Sequence, residues 1–323
     1  MMWLGIDDGN FDTKSQNTVS PNGFYQHSAL PAFTKTYLFY NGAYYVSSNE
    51  RFNYKEDKTL DDRALILTMV GIGKEIIYQL TARKVAPENM QEEISKITEI
   101  GLGIGLPPLQ WHTAQKKVDF FKKHMGKHIE FDYANYHFAF TMKYCDIFPQ
   151  DVAAIITNAK DAVISSSPKF VGVDIGGGTI EVVPVDKGIP DSNHCTSDKI
   201  GIIFLFQSIE EAIKREFNID LAFDDIEAVI KKEETLLNSE PDVIKRILQL
   251  VQQYVDNNIV DMLVQRKVNF STTVVVFLGG GSLLLKPFIK KNKQIKHIHF
   301  LKNPVNANAK AYAILMEKKY GVV

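Results

Sequence analysis

Residues 170–183 read FVGVDIGGGTIEVV, and this stretch constrains the chain more than any other. Phe170, Val171 and Val173 form an apolar run of the buried-strand type, and Asp174 stands at its end. Gly176, Gly177 and Gly178 make a turn with no side chains, after which Thr179 to Val183 resume a β-rich pattern. Glycines reach positive φ and let a ligand come close to the backbone. Successive N–H groups in such a turn form a concave anion site of the kind that cradles phosphate. A carboxylate beside it repels phosphate unless a divalent cation, often through water, lies between them. Taken alone, the stretch reads equally well as a tight hairpin with an exposed Asp.

The pattern occurs twice. Gly5-Ile6-Asp7-Asp8-Gly9 repeats as Gly172-Val173-Asp174-Ile175-Gly176: glycine, a β-branched residue, Asp, any residue, glycine. The copies are 174 − 7 = 167 residues apart, about half of the 323-residue chain, which predicts two similar halves. A third glycine turn, Gly279-Gly280-Gly281-Ser282, follows the apolar strand that starts at Thr273. The candidate phosphate contacts are the N–H groups of Gly9, Asn10, Gly176, Gly177, Gly178 and Thr179, with Lys14 as a point charge. The ordinary fate of a strand lysine is solvation. Gln150 follows a strand ended by Phe148-Pro149 and is expected at a helix N-terminus, where anions are favoured and a glutamine can orient water for attack on phosphorus. On position alone an exposed first-turn residue is the simpler reading.

The length favours about two domains. Hydrophobic residues make up 45% and charged residues 23%, an ordinary globular balance. The net charge of −1 argues against a surface built for nucleic acid. Cys145 and Cys195 form no CxxC pair, which excludes a Cys-rich zinc site or a disulfide scaffold and fits a reducing, cytoplasmic setting. No secretory leader is evident, and no apolar run reads as a membrane span.

Along the chain, Asn41-Gly42 between aromatic runs is a hairpin signal within a small, partly exposed aromatic subdomain that extends to Tyr54. Asp61 to Thr81 is expected to be helical, with Asp61 or Asp62 as cap, and Ile97 to Leu106 is an interior strand. Trp111 to Met125 is a basic amphipathic helix whose Lys116, Lys117, Lys122 and Lys123 are expected on a solvated face. Gln150 to Ser165 is expected as one helix with Val152, Ile155, Ile156, Ala159 and Val163 inward. Helices are expected over 199–217, 224–237 and 241–268, forming a block between the second and third glycine turns. Lys286 to Lys302 holds six lysines and no acid, most simply a solvated face. The terminal helix, Asn303 to Tyr320, carries Ala307, Ala309, Ala311 and Ala313 and is expected to cross back to the first half with one small side.

Five segments in order, GIDDGNFDTK, FPQDVAAII, VDIGGGTIEV, VVFLGGGSLL and NPVNANAKAYA, resemble the signature of the actin–chaperone–sugar-kinase ATPase superfamily over nearly the whole chain. Length, order and the LAFDD segment at Leu221 to Asp225 look most like the bacterial plasmid-segregation actins of the ParM type. The resemblance implies an actin-like (ribonuclease H-like, duplicated) α/β fold, with two domains around a nucleotide cleft. The expected boundaries are 1–168 plus 304–323, with an aromatic-rich insertion near 20–100, and 169–303, with a helical insertion near 202–270. It implies a filament-forming Mg²⁺-dependent ATPase or GTPase that binds itself and a DNA-binding adaptor, with no direct contact to nucleic acid or membrane. Asp7 and Asp174 would hold the metal's waters and Gln150 the attacking water. Gly201 is grouped with the nucleotide-binding residues, and Gly279 to Ser282 with the nucleoside. Related proteins often carry Glu at the Gln150 position, so Asp151 is left to share that task. A small-molecule kinase, a cell-shape or division actin and a chaperone-like ATPase are the alternatives; two distant cysteines cannot supply the zinc motif of the bacterial glucokinase-like branch, and neither a membrane-binding amphipathic end nor an extra substrate domain is expected.

Overall fold

The computed structural model describes residues 1–53, 57–158, 162–167, 169–187 and 189–321. Tyr54 and Ala159, named above, lie outside the described residues. The chain divides into two compact units, Met1–Asn158 with Val305–Val323, and Ala159–Pro304.

The first unit is a nine-stranded sheet with helices on both faces. Its elements are β1 Met2–Asp8, β2 Asp12–Lys14, β3 Val19–Pro21, β4 Phe24–His27, β5 Leu38–Tyr40, β6 Ala43–Ser47, α1 Arg63–Ala82, α2 Met90–Ser95, β7 Glu99–Leu106, α3 Ala114–Met125, β8 Ile129–Tyr133, β9 Tyr136–Pro149 and α4 Val152–Thr157. The strand order is β3-β2-β1-β7-β9-β8-β5-β6-β4. β9 is long enough to pair antiparallel with β8 through its first half and parallel with β7 through its second. The aromatic segment is therefore part of the main sheet path rather than a separate subdomain. Asn41 and Gly42, both at positive φ, close the β5–β6 hairpin as its sequence requires.

Side-chain alternation along β1 assigns the two faces. Ile6 packs toward Gly71 of α1, while Gly5, one residue earlier, faces the terminal helix α11, Ala307–Tyr320. A Cβ on Gly5 would fall 1.9 Å from the Ala309 carbonyl, so only glycine lets α11 lie this close. Ala307, Ala309, Ala311 and Ala313 do not share one side, because residues two apart on a helix diverge. All four are buried because α11 is wrapped by β1, β7 and α4. By length and composition α1 is apolar enough to cross a bilayer, but 72% of its most apolar stretch is buried, as in a core helix. Asp61 accepts from the Arg63 N–H at its start.

The second unit comprises α5 Ala162–Ser166, β10 Lys169–Ile175, β11 Ile180–Asp186, β12 Ile189–Pro190, β13 Thr196–Asp198, α6 Ile202–Phe217, α7 Phe223–Lys231, α8 Pro241–Tyr254, α9 Asp261–Gln265, β14 Val274–Leu278, α10 Gly280–Lys291 and β15 Ile298–Phe300. Its sheet runs β12-β11-β10-β14-β15, with β13 paired to β11. The expected helix over 150–165 is two short pieces, α4 and α5, and Ile156 points outward at 47% exposure. The helix expected over 224–237 ends at Lys231, where Lys232 adopts a left-handed conformation. The long third helix is α8 and α9 joined through a π-helical turn, Val255–Val260.

The two sheets share a local plan. In each, the strand carrying the repeated Asp forms an antiparallel hairpin with the next strand and a parallel pair with a later one: β1 with β2 and β7, β10 with β11 and β14.

Candidate functional site

In the first unit, Asp7 and Asp8 end β1 and are both buried, at 5% and 3% exposure. Asp7 lies across from Lys14 in the β1–β2 pair. Gln150, just beyond β9, donates from Nε2 to Asp7 Oδ1 at 2.8 Å, so the structure joins two of the expected site residues. Asp151 does not share Gln150's position. It is fully buried and its carboxylate accepts from Asn308 of α11, which removes it as a water-orienting group.

The loop at Gly9–Asn10 is held by side chains from elsewhere in this unit. Asn22 Nδ2 donates to the carbonyls of both Gly9 and Asn10 at 2.9 Å. Lys117, expected on a solvated face, is instead buried. Its Nζ donates to Asp8 Oδ1 at 2.8 Å and to the Gly105 carbonyl at 2.9 Å. Lys58 Nζ donates to the Asp8 carbonyl. Burial alone would push the Asp8 carboxyl up, but the charges of Lys117 and Lys58 outweigh it and hold the group below the usual carboxylate range. Burial lowers the Lys58 ammonium. Asp8 Oδ2 is buried without a hydrogen-bond partner. A cavity of about 30 Å³ beside the loop is lined by Asp8, Gly9, Asn10, Asn22 and Lys58 among others. The sequence signal for Lys117 was available: it shares a helical face with Phe121 and Met125, four and eight residues on, both fully buried. Asn22 and Lys58 carry no local signal.

In the second unit, Ile175 pairs with Ile180 across the loop Gly176–Thr179. The Gly176 N–H donates to the Thr179 carbonyl at 2.9 Å. The N-terminus of α6 packs on this loop: the N–H groups of Gly201, Ile202 and Ile203 donate to the carbonyls of Gly178, Gly176 and Gly177 at 3.3, 3.1 and 2.9 Å. In a trans peptide the N–H points opposite to the C=O. With the carbonyls of residues 176–178 turned to α6, the N–H groups of Gly177, Gly178 and Thr179 point the other way, as an anion nest requires. Gly201 therefore lies on the carbonyl side of the loop and supports it. A Cβ there would meet the Gly177 carbonyl oxygen at 2.5 Å and that of Gly176 at 2.7 Å.

The third glycine turn abuts the second. Gly279 has φ 82°, and a Cβ on it would fall 2.0 Å from Asp174 Oδ1. Gly280 then begins α10 rather than a return strand. Ser282 is fully buried and its hydroxyl donates to the Gly279 carbonyl at 2.7 Å, so its side chain caps the turn and is not presented to a ligand. A Cβ on Gly280 would meet nothing within 4 Å. Asp174 faces Glu181 in register, and Glu181 is buried with the hydroxyls of Thr179 and Ser197 at 3.5 Å, the outer limit of hydrogen bonding.

Among the described residues, no group of three or more His, Cys, Asp or Glu side chains is arranged to hold a metal. Mg²⁺ needs no such cage, since it keeps several waters and uses one or two carboxylates with substrate phosphates. Asp7, with one oxygen on Gln150, fits that looser role.

Paired hairpin-plus-parallel sheets, each ending in an Asp beside a glycine loop, define an actin-like fold, and that is the fold of this chain. Residues 172–291 match the family model of the archaeal actin homologue MreB-like, C-terminal. No curated protein matches the sequence. Among solved structures the chain is similar to the archaeal actin homologue Ta0583 in complex with ADP, at 17% identity and TM-score 0.71, covering 98% of this chain and 100% of that one. It is also similar to ParM in a 15-stranded filament from Clostridium botulinum, at 16% identity and TM-score 0.69, covering 98% and 100%. Bacillus thuringiensis ParM with AMPPNP matches at 12% identity and TM-score 0.65, covering 99% of each chain.

Proposed function

We propose that this chain is a nucleotide-dependent, filament-forming actin-like protein whose two glycine loops serve one Mg²⁺–nucleoside triphosphate. The observation that supports the reading is the hydrogen bond from Gln150 Nε2 to Asp7 Oδ1; in this reading Gln150 orients the attacking water and Asp7 holds the metal's water shell. Asp174 takes the matching role from the second loop. The N–H groups of Gly9, Asn10 and Gly177 to Thr179 bind the phosphates, that of Gly176 being taken by the Thr179 carbonyl; Lys14 adds charge, and the backbone at Gly279 to Gly281 supports the nucleoside. Mg²⁺, when bound, neutralises the charge that develops on the phosphoryl oxygens. Phosphoryl transfer needs positioning and charge neutralisation more than covalent chemistry, which this set supplies. Hydrolysis then sets the affinity of subunits for one another and so the turnover of the filament. By similarity to the ParM filaments, its cargo is plasmid DNA, held in the cytoplasm through a separate adaptor.

Light scattering with Mg²⁺ and ATP or GTP, with phosphate release followed in parallel and negative-stain microscopy at the plateau, tests this. Expected are nucleotide-dependent filaments and phosphate release, both lost in Asp174→Ala. Phosphorylation of a sugar without any assembly would instead make the chain a small-molecule kinase.

A further inference from the structure

Gln150 is followed by a residue held in a conformation that side chains rarely adopt. Asp151 has φ 61° and ψ −48°. The Val152 N–H donates back across it to the Gln150 carbonyl at 2.5 Å. Together these make a γ-turn of the positive-φ kind, which is rare and strained for a residue with a Cβ. Such strain persists only where the surroundings over-determine it.

One buried side chain holds this turn at two points. Asn308, in the first turn of α11 and only 6% exposed, accepts from the Asp151 N–H through Oδ1 at 2.8 Å. Its Nδ2 donates to Asp151 Oδ1 at 3.1 Å. Backbone and carboxylate of the strained residue are thus gripped at two points by one amide. On either side, the Gln150 N–H donates to the Leu106 carbonyl at the end of β7 at 2.9 Å. The Asp151 carbonyl accepts from Ile155 at 2.8 Å and so starts α4. Gln150 therefore hangs between a strand end and a turn that would relax if Asn308 let go. Relaxation rotates the peptide that follows Gln150 and with it the direction from which its amide reaches Asp7.

We propose that Asn308 is a positioning residue for Gln150: by holding Asp151 in its strained turn it keeps the Gln150 amide on Asp7. The inference rests on the reading that Gln150 orients the attacking water.

The test measures kcat for phosphate release and nucleotide affinity in the full chain. Asn308→Ala is expected to lower kcat roughly ten- to a hundred-fold, the size of effect a misplacement of about 1 Å produces, while the nucleotide Kd stays within about two-fold. The diagnostic step is rescue. Glycine adopts positive φ without steric cost, so adding Asp151→Gly to Asn308→Ala is expected to restore most of the lost kcat, whereas adding Asp151→Ala is not. A merely structural role for Asn308 predicts no such difference. Asp151→Gly alone, which keeps the turn accessible without the clamp, is expected to retain kcat within about three-fold of the parent. The proposal is overturned if Asn308→Ala turns over like the parent while Gln150→Ala is slowed, if glycine rescues no better than alanine, or if Asp151→Gly alone falls as far as Gln150→Ala. A parent protein with no nucleotide turnover would instead sink the functional reading, and this inference with it.

Discussion

The two repeated loops occupy the same place in their sheets and are built by opposite means. The first, at Gly9–Asn10, is fixed by side chains from distant segments: Asn22 on its carbonyls, Lys58 on the Asp8 carbonyl, and the buried Lys117–Asp8 pair beneath it. The second, at Gly176–Thr179, is fixed by backbone, with three N–H groups at the start of α6 on three loop carbonyls. Charge differs as well. Seven residues after each repeated Asp, and directly across the hairpin from it, stands Lys14 in one loop and Glu181 in the other. Two loops of one motif thus fail differently. The first depends on remote charges and tolerates little change at positions no motif marks, while the second depends on the absence of side chains.

The largest break in that comparison is Lys117→Met. It leaves Asp8 buried with its nearest counter-charge gone and is expected to cost about 3–5 kcal/mol of stability, read from denaturant unfolding. Adding Asp8→Asn should recover most of the loss, because the uncompensated charge disappears with it. In the second loop, Gly201→Ala is expected to cost about 1–3 kcal/mol through forced separation of α6 from the loop carbonyls, and to weaken nucleotide binding along with stability. A finding that Gly201→Ala is neutral would mean the loop is not held by backbone packing.

The charge difference sharpens the comparison further. Lys14→Gln is expected to weaken nucleotide binding and Glu181→Gln to tighten it, each by about ten-fold or less, since one removes a cation and the other an anion near a loop proposed to bind phosphate. Calorimetric titration with a non-hydrolysed triphosphate reads both signs, and equal signs would argue against a shared role for the loops. The smallest effect concerns acid. The folded Asp8 carboxyl lies below its ordinary value, so the stability it contributes is whole above the unfolded pKa of about 3.9 and is lost as pH falls through the lowered folded value. Asp8→Asn is expected to flatten that part of the stability–pH curve. Parallel curves for parent and variant would show that the pair contributes nothing to acid sensitivity.

Lys117 also shows why a sequence reading stops where it does. A basic helix predicts solvated lysines because most are, and three of the four named on α3 obey: Lys116, Lys122 and Lys123 are exposed. The fourth lies on the same face as Phe121 and Met125, and only the presence of Asp8 under that face makes a buried ammonium tolerable. Gln150 is the converse. By position alone it reads as an exposed first-turn residue, and the structure sets its amide on the Asp7 carboxylate because β9 delivers it beside the end of β1.

The sequence by itself determined the duplicated plan, the strands that carry Asp7 and Asp174, the glycine loops, the hairpin at Asn41-Gly42 and the return of the last helix to the first unit. These are local or periodic properties, written by turn chemistry and by where β-rich runs meet glycine. Only the tertiary structure decided what holds each loop. Asn22, Lys58, Lys117 and Asn308 act on residues 12 to 157 positions away. A hydrogen bond or ion pair between distant segments depends on burial and register, and neither is encoded in the spacing of the residues that make it.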